Sequence, residues 1–163
     1  MGNYTTFVDF CHDVLTTVTA VGVIHKRAID LRDLDEVEQA ITDGIGDARK
    51  INAWFITREG AEDVRDGAPS GQGFRYHRFL ISGYYQLVEA DSTETTFQNI
   101  IDSVMDAFET RLTKVTGGSP QIVEYTQPLR IRRIGHTRFA KYLVHFCEIE
   151  VVYRERRTIN TRI

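Results

Sequence analysis

The spacing of apolar residues along the chain alternates between the helical and the extended period, and each switch marks an element. Over residues 5–21, Phe7, Phe10, Cys11, Val14, Leu15 and Val18 recur at steps of three and four, while Asp9, His12, Asp13, Thr16 and Thr17 fill the other side. That spacing predicts an amphipathic helix, capped by Asn3 or Thr5 and ended with the help of Gly22. Leu34, Val37, Ala40, Ile41 and Ile45 predict a shorter helix that begins near Asp33 and stops at Gly44 and Gly46. The longest stripe lies in residues 91–115, where Phe97, Ile100, Ile101, Val104, Met105, Phe108, Leu112 and Val115 share a face. Asp91 or Ser92 would cap this helix, and Gly117, Gly118 and Pro120 would terminate it.

Residues 50–59 (KINAWFITRE) and 76–89 (YHRFLISGYYQLVE) are rich in β-branched and aromatic side chains and predict two strands paired as a hairpin. Gly60, Gly67, Pro69, Ser70, Gly71 and Gly73 between them predict a long loop over residues 60–73, expected to be mobile. Residues 122–134 and 138–154 predict a second antiparallel pair, turning at Gly135-His136-Thr137. In its second strand Leu143, His145, Cys147, Ile149, Val151 and Tyr153 alternate with Tyr142, Val144, Phe146, Glu148 and Glu150, so both faces are apolar near the middle. At ~3.3 Å per residue this strand spans about 50 Å, which predicts a bent or projecting hairpin.

The order of elements is helix, short helix, hairpin, long helix, hairpin. Hence the expected class is α+β, with an antiparallel sheet of about four strands packed on one face by two or three helices. The 163 residues fit one domain over 1–163.

Composition narrows the function classes. The chain is 42% hydrophobic and 26% charged, as an ordinary globular protein is. Cys11 and Cys147 stand far apart without C-x-x-C spacing, so neither a disulfide scaffold nor a zinc site is expected, and a reducing compartment fits. The first residues carry acids in their apolar stretch and no basic n-region, so no signal peptide is expected. The net charge of −3 hides a gradient, because residues 120–163 hold nine basic and four acidic side chains and end in a basic tail at about 154–163. An acidic chain is a poor general DNA binder, since phosphate contacts set that affinity.

No residue set calls for catalysis. The glycine-rich 60–73 segment lacks the Lys-Ser/Thr of a phosphate loop and joins two strands. His145 and Cys147 share a strand face, but an apolar one, which predicts a buried, inert pair. The five histidines, at 12, 25, 77, 136 and 145, show no metal-ligand spacing. Asp102, Asp106 and Glu109 read as a solvated helix face. Thus no catalytic residue, cofactor or metal is expected. Arg130, Arg132 and Arg133, with Arg138, Lys141, Arg154, Arg156, Arg157 and Arg162, form the basic end. Alternation would put Arg130 and Arg132 on one strand face and Arg133 on the other.

This order of elements resembles the tail terminator, or tail completion, proteins of long-tailed bacteriophages. The likeness is carried by the N-terminal helix, the hairpin and Gly-rich loop between residues 51 and 89, the helix over 91–115, and the closing pair ending FAKYLVHFCEIEVVYRE. Residues 22–49 depart from it, being longer than the usual connection at that place. The resemblance implies a structural, non-enzymatic virion protein of the tail neck, assembled in the host cytoplasm as a ring, typically hexameric. Such a ring caps the tail tube and joins it to the head connector. Its partners would be further copies, the tail tube protein and connector or neck proteins, with genomic DNA passing through without sequence-specific binding and no membrane contact. The expected interface residues are Asp66, Gly67, Pro69, Gly71 and Gly73 in the loop, with Arg130, Arg132, Arg133, Arg154, Arg156 and Arg157 at the basic end. Alternative readings are another head-tail connector component or a nucleic-acid-binding module using the basic end.

Overall fold

A computed structural model describes residues 3–27, 41–43, 50–65, 72–88, 92–111, 122–125, 128–139 and 142–158. In chain order the elements are α1 (Asn3–Leu15), β1 (Val23–His25), β2 (Thr42–Asp43), β3 (Lys50–Arg65), β4 (Gln72–Gln86), α2 (Thr93–Arg111), β5 (Ile122–Tyr125), β6 (Arg130–Phe139) and β7 (Tyr142–Thr158). The long strands β3, β4 and β7 are successive neighbours in one sheet of order β1-β3-β4-β7-β5. Both edges of this frame are composite: β2 joins β1 along β3, and β6 joins β5 along β7.

Register explains how two faces are built from these strands. Trp54 and Ile56 of β3, Phe79 and Ile81 of β4, and Cys147, Ile149, Val151 and Tyr153 of β7 share a face. There they pack with Phe7, Val8, Cys11, Val14 and Leu15 of α1 and with Phe97, Ile100, Ile101, Val104 and Phe108 of α2. The other face carries a smaller cluster of Ile41, Ile51, Ala53, Phe55 and Val144, flanked by Tyr84 and Tyr142. Residues 51–56 of β3 are accordingly buried on both sides.

The class is α+β, as expected, but the sheet differs from an antiparallel set of about four strands. It is mixed and has five strand positions, because β1 runs parallel to β3 with Val23 opposite Ala53 and His25 opposite Phe55. Three residues are too few to show a period. What holds them is local: Asn52 Nδ2 donates to Ala20 O at 2.9 Å, and Gly22 leaves no room for a Cβ beside Asn52. The first helix also stops earlier than expected, at Leu15 rather than near Val21. Thr16 and Thr17 donate their hydroxyls to the carbonyls of Asp13 and Val14 at 2.8 and 2.6 Å, and this β-branched run disfavours another helical turn. Of the expected helix over residues 34–45, Thr42 and Asp43 are strand paired with Ile51 and Lys50, and residues 34–40 and 44–45 lie outside the described residues. Residues 112–115 of the long stripe also lie outside them.

Three boundaries in the strands are corrected. Residues 60–65 and 72–73 are not loop, since the β3–β4 ladder continues past a bulge at Glu59 to Arg65 opposite Gly73. Main-chain pairing sustains this stretch where its polar side chains show no apolar alternation. The second hairpin does not turn at residues 135–137: Gly135, His136 and Thr137 pair with Phe146, His145 and Val144 inside the ladder, which closes between Phe139 and Tyr142. The Gly135 that suggested a turn instead lies against Phe146. Residues 154–158 are not a tail but the end of β7, paired with residues 72–76 of β4; residues 159–163 lie outside the described residues.

Two core substitutions test this packing by chemical denaturation. Phe108 is fully buried, so Phe108→Ala should cost about 3–5 kcal/mol. A Cβ at Gly83 would fall 2.7 Å from the Trp54 ring, so Gly83→Ala should cost about 1–3 kcal/mol through overpacking. An unfolding midpoint near that of the parent for either variant would contradict the packing described.

Candidate assembly interface

Beyond the Glu59 bulge, β3, β4 and β7 continue as an arm of the sheet, with β5 alongside β7 at its base. Gly60 to Arg65 pair with Arg78 to Gly73, and residues 72–76 pair in turn with 154–158. Gly60, Ala61, Glu62, Asp63 and Val64 are exposed. Cross-strand contacts stiffen the arm: Arg75 Nη2 donates to Asp63 Oδ2 at 2.6 Å, and the Arg154 guanidinium lies 4.5 Å from the centre of the Phe74 ring. At the arm's base a shallow groove of about 390 Å³ is lined by Glu59, Gly60, Ala61, Glu62, Tyr76, Arg78 and Val152.

On the helix-covered side, the base is held by a buried polar pair. His77 Nε2 lies 2.7 Å from Glu155 Oε2, and both side chains are almost inaccessible. Phe7 of α1 packs on the imidazole at a centroid distance of 4.6 Å. His77 Nδ1 is buried without a hydrogen-bond partner, so the proton belongs on Nε2, donating to the carboxylate. Burial lowers the His77 pKa, with Glu155 pulling in the opposite direction.

The basic end is arranged differently from the alternation expected. A bulge between Ile131 and Arg133 makes Arg132 the extra residue, so Arg130 faces Glu150 and Arg133 faces Glu148 across the ladder. Glu148 and Glu150 point to one face of β7, and all three arginines gather there. Arg132 pairs with Glu59 and lies 3.7 Å from Glu150, which Arg78 approaches to 3.9 Å. Arg133 is 3.9 Å from Glu148 and stacks over Phe146 at 5.5 Å. These carboxylates offset much of the positive charge that the sequence concentrates here, although each exposed pair adds little stability.

The remaining expected interface residues fall in two groups. Gly73 is buried within the arm ladder, between Arg65 and Arg157, and Arg156 pairs along its main chain with Phe74. Asp66, Gly67, Pro69 and Gly71 lie outside the described residues. Sequence reasoning missed Glu59, Glu148 and Glu150 as partners of the arginines. Only the register of three strands brings them together, and the acidic alternation at 148 and 150 was the one trace of it.

Both cysteines are buried and free. Desolvation pushes each thiol up to about 12, which leaves no thiolate for nucleophilic work. Cys11 Sγ contacts Tyr153 Oη at 3.6 Å, and Cys147 lies within the main core. His145, on the same face as Cys147, is held instead by Thr93 Oγ1 at 3.0 Å. Among the described residues there is no cluster of three or more His, Cys, Asp or Glu side chains able to hold a metal ion. No helix there is long and apolar enough to cross a membrane. Comparison with models of known protein families and with curated proteins finds no match to this chain.

Two measurements follow from these environments. Cys11 and Cys147 should resist a thiol reagent in the native protein and react together on unfolding; rapid native labelling would contradict their burial. Burial lowers the pKa of both His77 and His145 from 6.5, so between those folded values and 6.5 the unfolded chain binds more protons. Stability should therefore be level above about pH 7 and fall as the pH drops through 6.5 toward 5. A denaturation midpoint unchanged over that interval would contradict the assignment.

Proposed function

We propose that this protein is a structural subunit of the phage tail terminator kind, forming a ring that caps the tail tube and joins it to the head connector. The observation that carries this reading is the arm. Three strands stay paired beyond the Glu59 bulge, and the β3 segment there is exposed over residues 60–64, a stretch of polar ladder that adds little to the apolar core. A ring subunit uses such a stretch against the copy or the partner beside it, where repeated heterologous contacts close the ring. The face of the sheet opposite the two described helices, with its groove and paired charges, suits a polar contact of the kind that fixes register between partners. Copies of the chain, the tail tube protein and connector or neck proteins are the partners in this reading, and genomic DNA passes through the lumen.

The nucleic-acid-binding alternative gains no support from the arginines, because Arg132 and Arg133 face Glu59, Glu148 and Glu150. Phosphate binding would have to compete with those carboxylates.

Mass measurement and negative-stain imaging of the purified protein, alone and with tail tubes, test the proposal. Rings are expected, at least in the presence of tubes; a persistent monomer beside tubes would overturn it. Replacing residues 66–72 with Asn-Gly joins Arg65 to Gly73 through a two-residue turn. That variant should keep its unfolding midpoint within about 0.5 kcal/mol, since loop length affects stability slowly, yet lose ring formation or tube binding. Full assembly by the variant would remove residues 66–72 from the mechanism.

A further inference from the structure

The β6–β7 ladder sets His136 directly opposite His145 on the helix-covered side of the sheet, with ring centroids 4.8 Å apart and planes inclined at 55°. From this juxtaposition we propose that the two imidazoles form a binding site for a first-row transition-metal dication such as Zn²⁺, Cu²⁺ or Ni²⁺. The observation is independent of the ring reading above.

The distance fits a shared ion. With each ligating nitrogen about 2.1 Å from the metal, each ring centroid stands about 3.2 Å away, and a tetrahedral angle separates two such centroids by about 5.2 Å. The observed 4.8 Å needs a shift of a few tenths of an ångström at most. Imidazole nitrogen is a borderline-soft donor that suits these metals rather than Mg²⁺ or Ca²⁺.

Thr93 offers His145 the hydrogen bond that this role needs. The Thr93 hydroxyl accepts from the Val88 N–H at 3.0 Å, and its single proton has two acceptors in reach, Val88 O at 3.2 Å and His145 Nε2 at 3.0 Å. A metal on His145 Nδ1 selects the arrangement in which that proton goes to Val88 O and the Nε2–H donates to Thr93 Oγ1. Nε2 then carries the hydrogen, and the lone pair of His145 lies on Nδ1. A histidine whose second nitrogen donates to a fixed oxygen is the arrangement that orients metal-ligating imidazoles. Phe97 of α2 stacks on the same ring at 5.8 Å and fixes its plane.

The surroundings agree in charge and access. Burial and the neighbouring His136 keep His145 neutral, as a ligand must be, while Glu94 on the exposed first turn of α2 adds a negative charge within electrostatic range. His136 is exposed at the sheet edge, so an ion can enter from solvent and complete its coordination with water. Cys147, two residues along the same face, is a buried neutral thiol and stays in the core.

Calorimetric titration of the intact protein with ZnCl₂ at pH 7.5 tests the site, comparing the parent with His136→Ala and with His12→Ala as a control on α1. One ion per chain is expected for the parent and for His12→Ala, with affinity at least tenfold weaker in His136→Ala. Circular dichroism should show the same fold for all three, since His136 is exposed. Unchanged affinity in His136→Ala would overturn the proposal, as would an equal loss in His12→Ala, which would mark dispersed surface binding. Pulsed EPR with Cu²⁺ should count two imidazole nitrogens in the parent and one in His136→Ala; no imidazole coupling in the parent would overturn it. Imidazole ¹⁵N shifts of the Zn²⁺-loaded protein should report Nε2–H on His145, and Nδ1–H there would overturn the proposal.

Discussion

The arrangement of the whole chain depends on Trp54 lying across Gly83. The two residues face each other in the β3–β4 ladder, and the indole occupies the space that a side chain at position 83 would need. Because the ring is flat against the sheet and fully buried, α2 can approach, with Phe97 6.3 Å from it. Its Nε1 donates to Asn52 Oδ1 at 3.3 Å, and Asn52 in turn holds the chain leaving α1 through Ala20. One aromatic–glycine pair therefore connects the two helices, the parallel strand β1 and the centre of the sheet. An indole buried without its hydrogen bond would be costly, and a side chain on Gly83 would displace it.

From that centre the sheet develops unequal faces. Both described helices lie on one side, where the aromatic and aliphatic residues of three strands alternate inward. Among the described residues the other side has a local apolar cluster at the end near β2, and beyond it the carboxylates of Glu59, Glu148 and Glu150 set against Arg78, Arg132 and Arg133. β7 belongs to both regions. From His145 to Tyr153 its odd-numbered residues enter the core, while Glu148 and Glu150 on the other side carry the charge pairs, so one strand couples the packing of the helices to the polar face.

The arm shows how stability is distributed along the sheet. Among the described residues its outer part is held by main-chain pairing, with the Arg75–Asp63 ion pair and the Arg154–Phe74 contact across strands. Its base is different, with His77 and Glu155 sealed beneath Phe7 of α1. Desolvation of both groups makes their hydrogen bond a condition for the base to stay closed, since an unpaired buried carboxylate is strongly destabilising. The first helix thereby packs on the base of the arm through Phe7.

The chain's periodicity marked the first helix, the long helix, the middles of the long strands and the α+β class, because burial of one helix stripe or one strand face leaves its repeat in the order of residues. Phe97 to Phe108 and the alternation from His145 to Tyr153 are read in this way without ambiguity. Interactions made across strands leave no such repeat. The parallel strand β1 is three residues long, the arm is held by main-chain bonds between polar residues, and the bulges at Glu59 and at Arg132 shift faces by one position. For the same reason the salt bridges of Arg132 and the opposition of His136 to His145 were illegible: a spacing of nine residues means nothing until the ladder turns between Phe139 and Tyr142. Sequence determined what must be buried, and the tertiary register decided which polar groups meet.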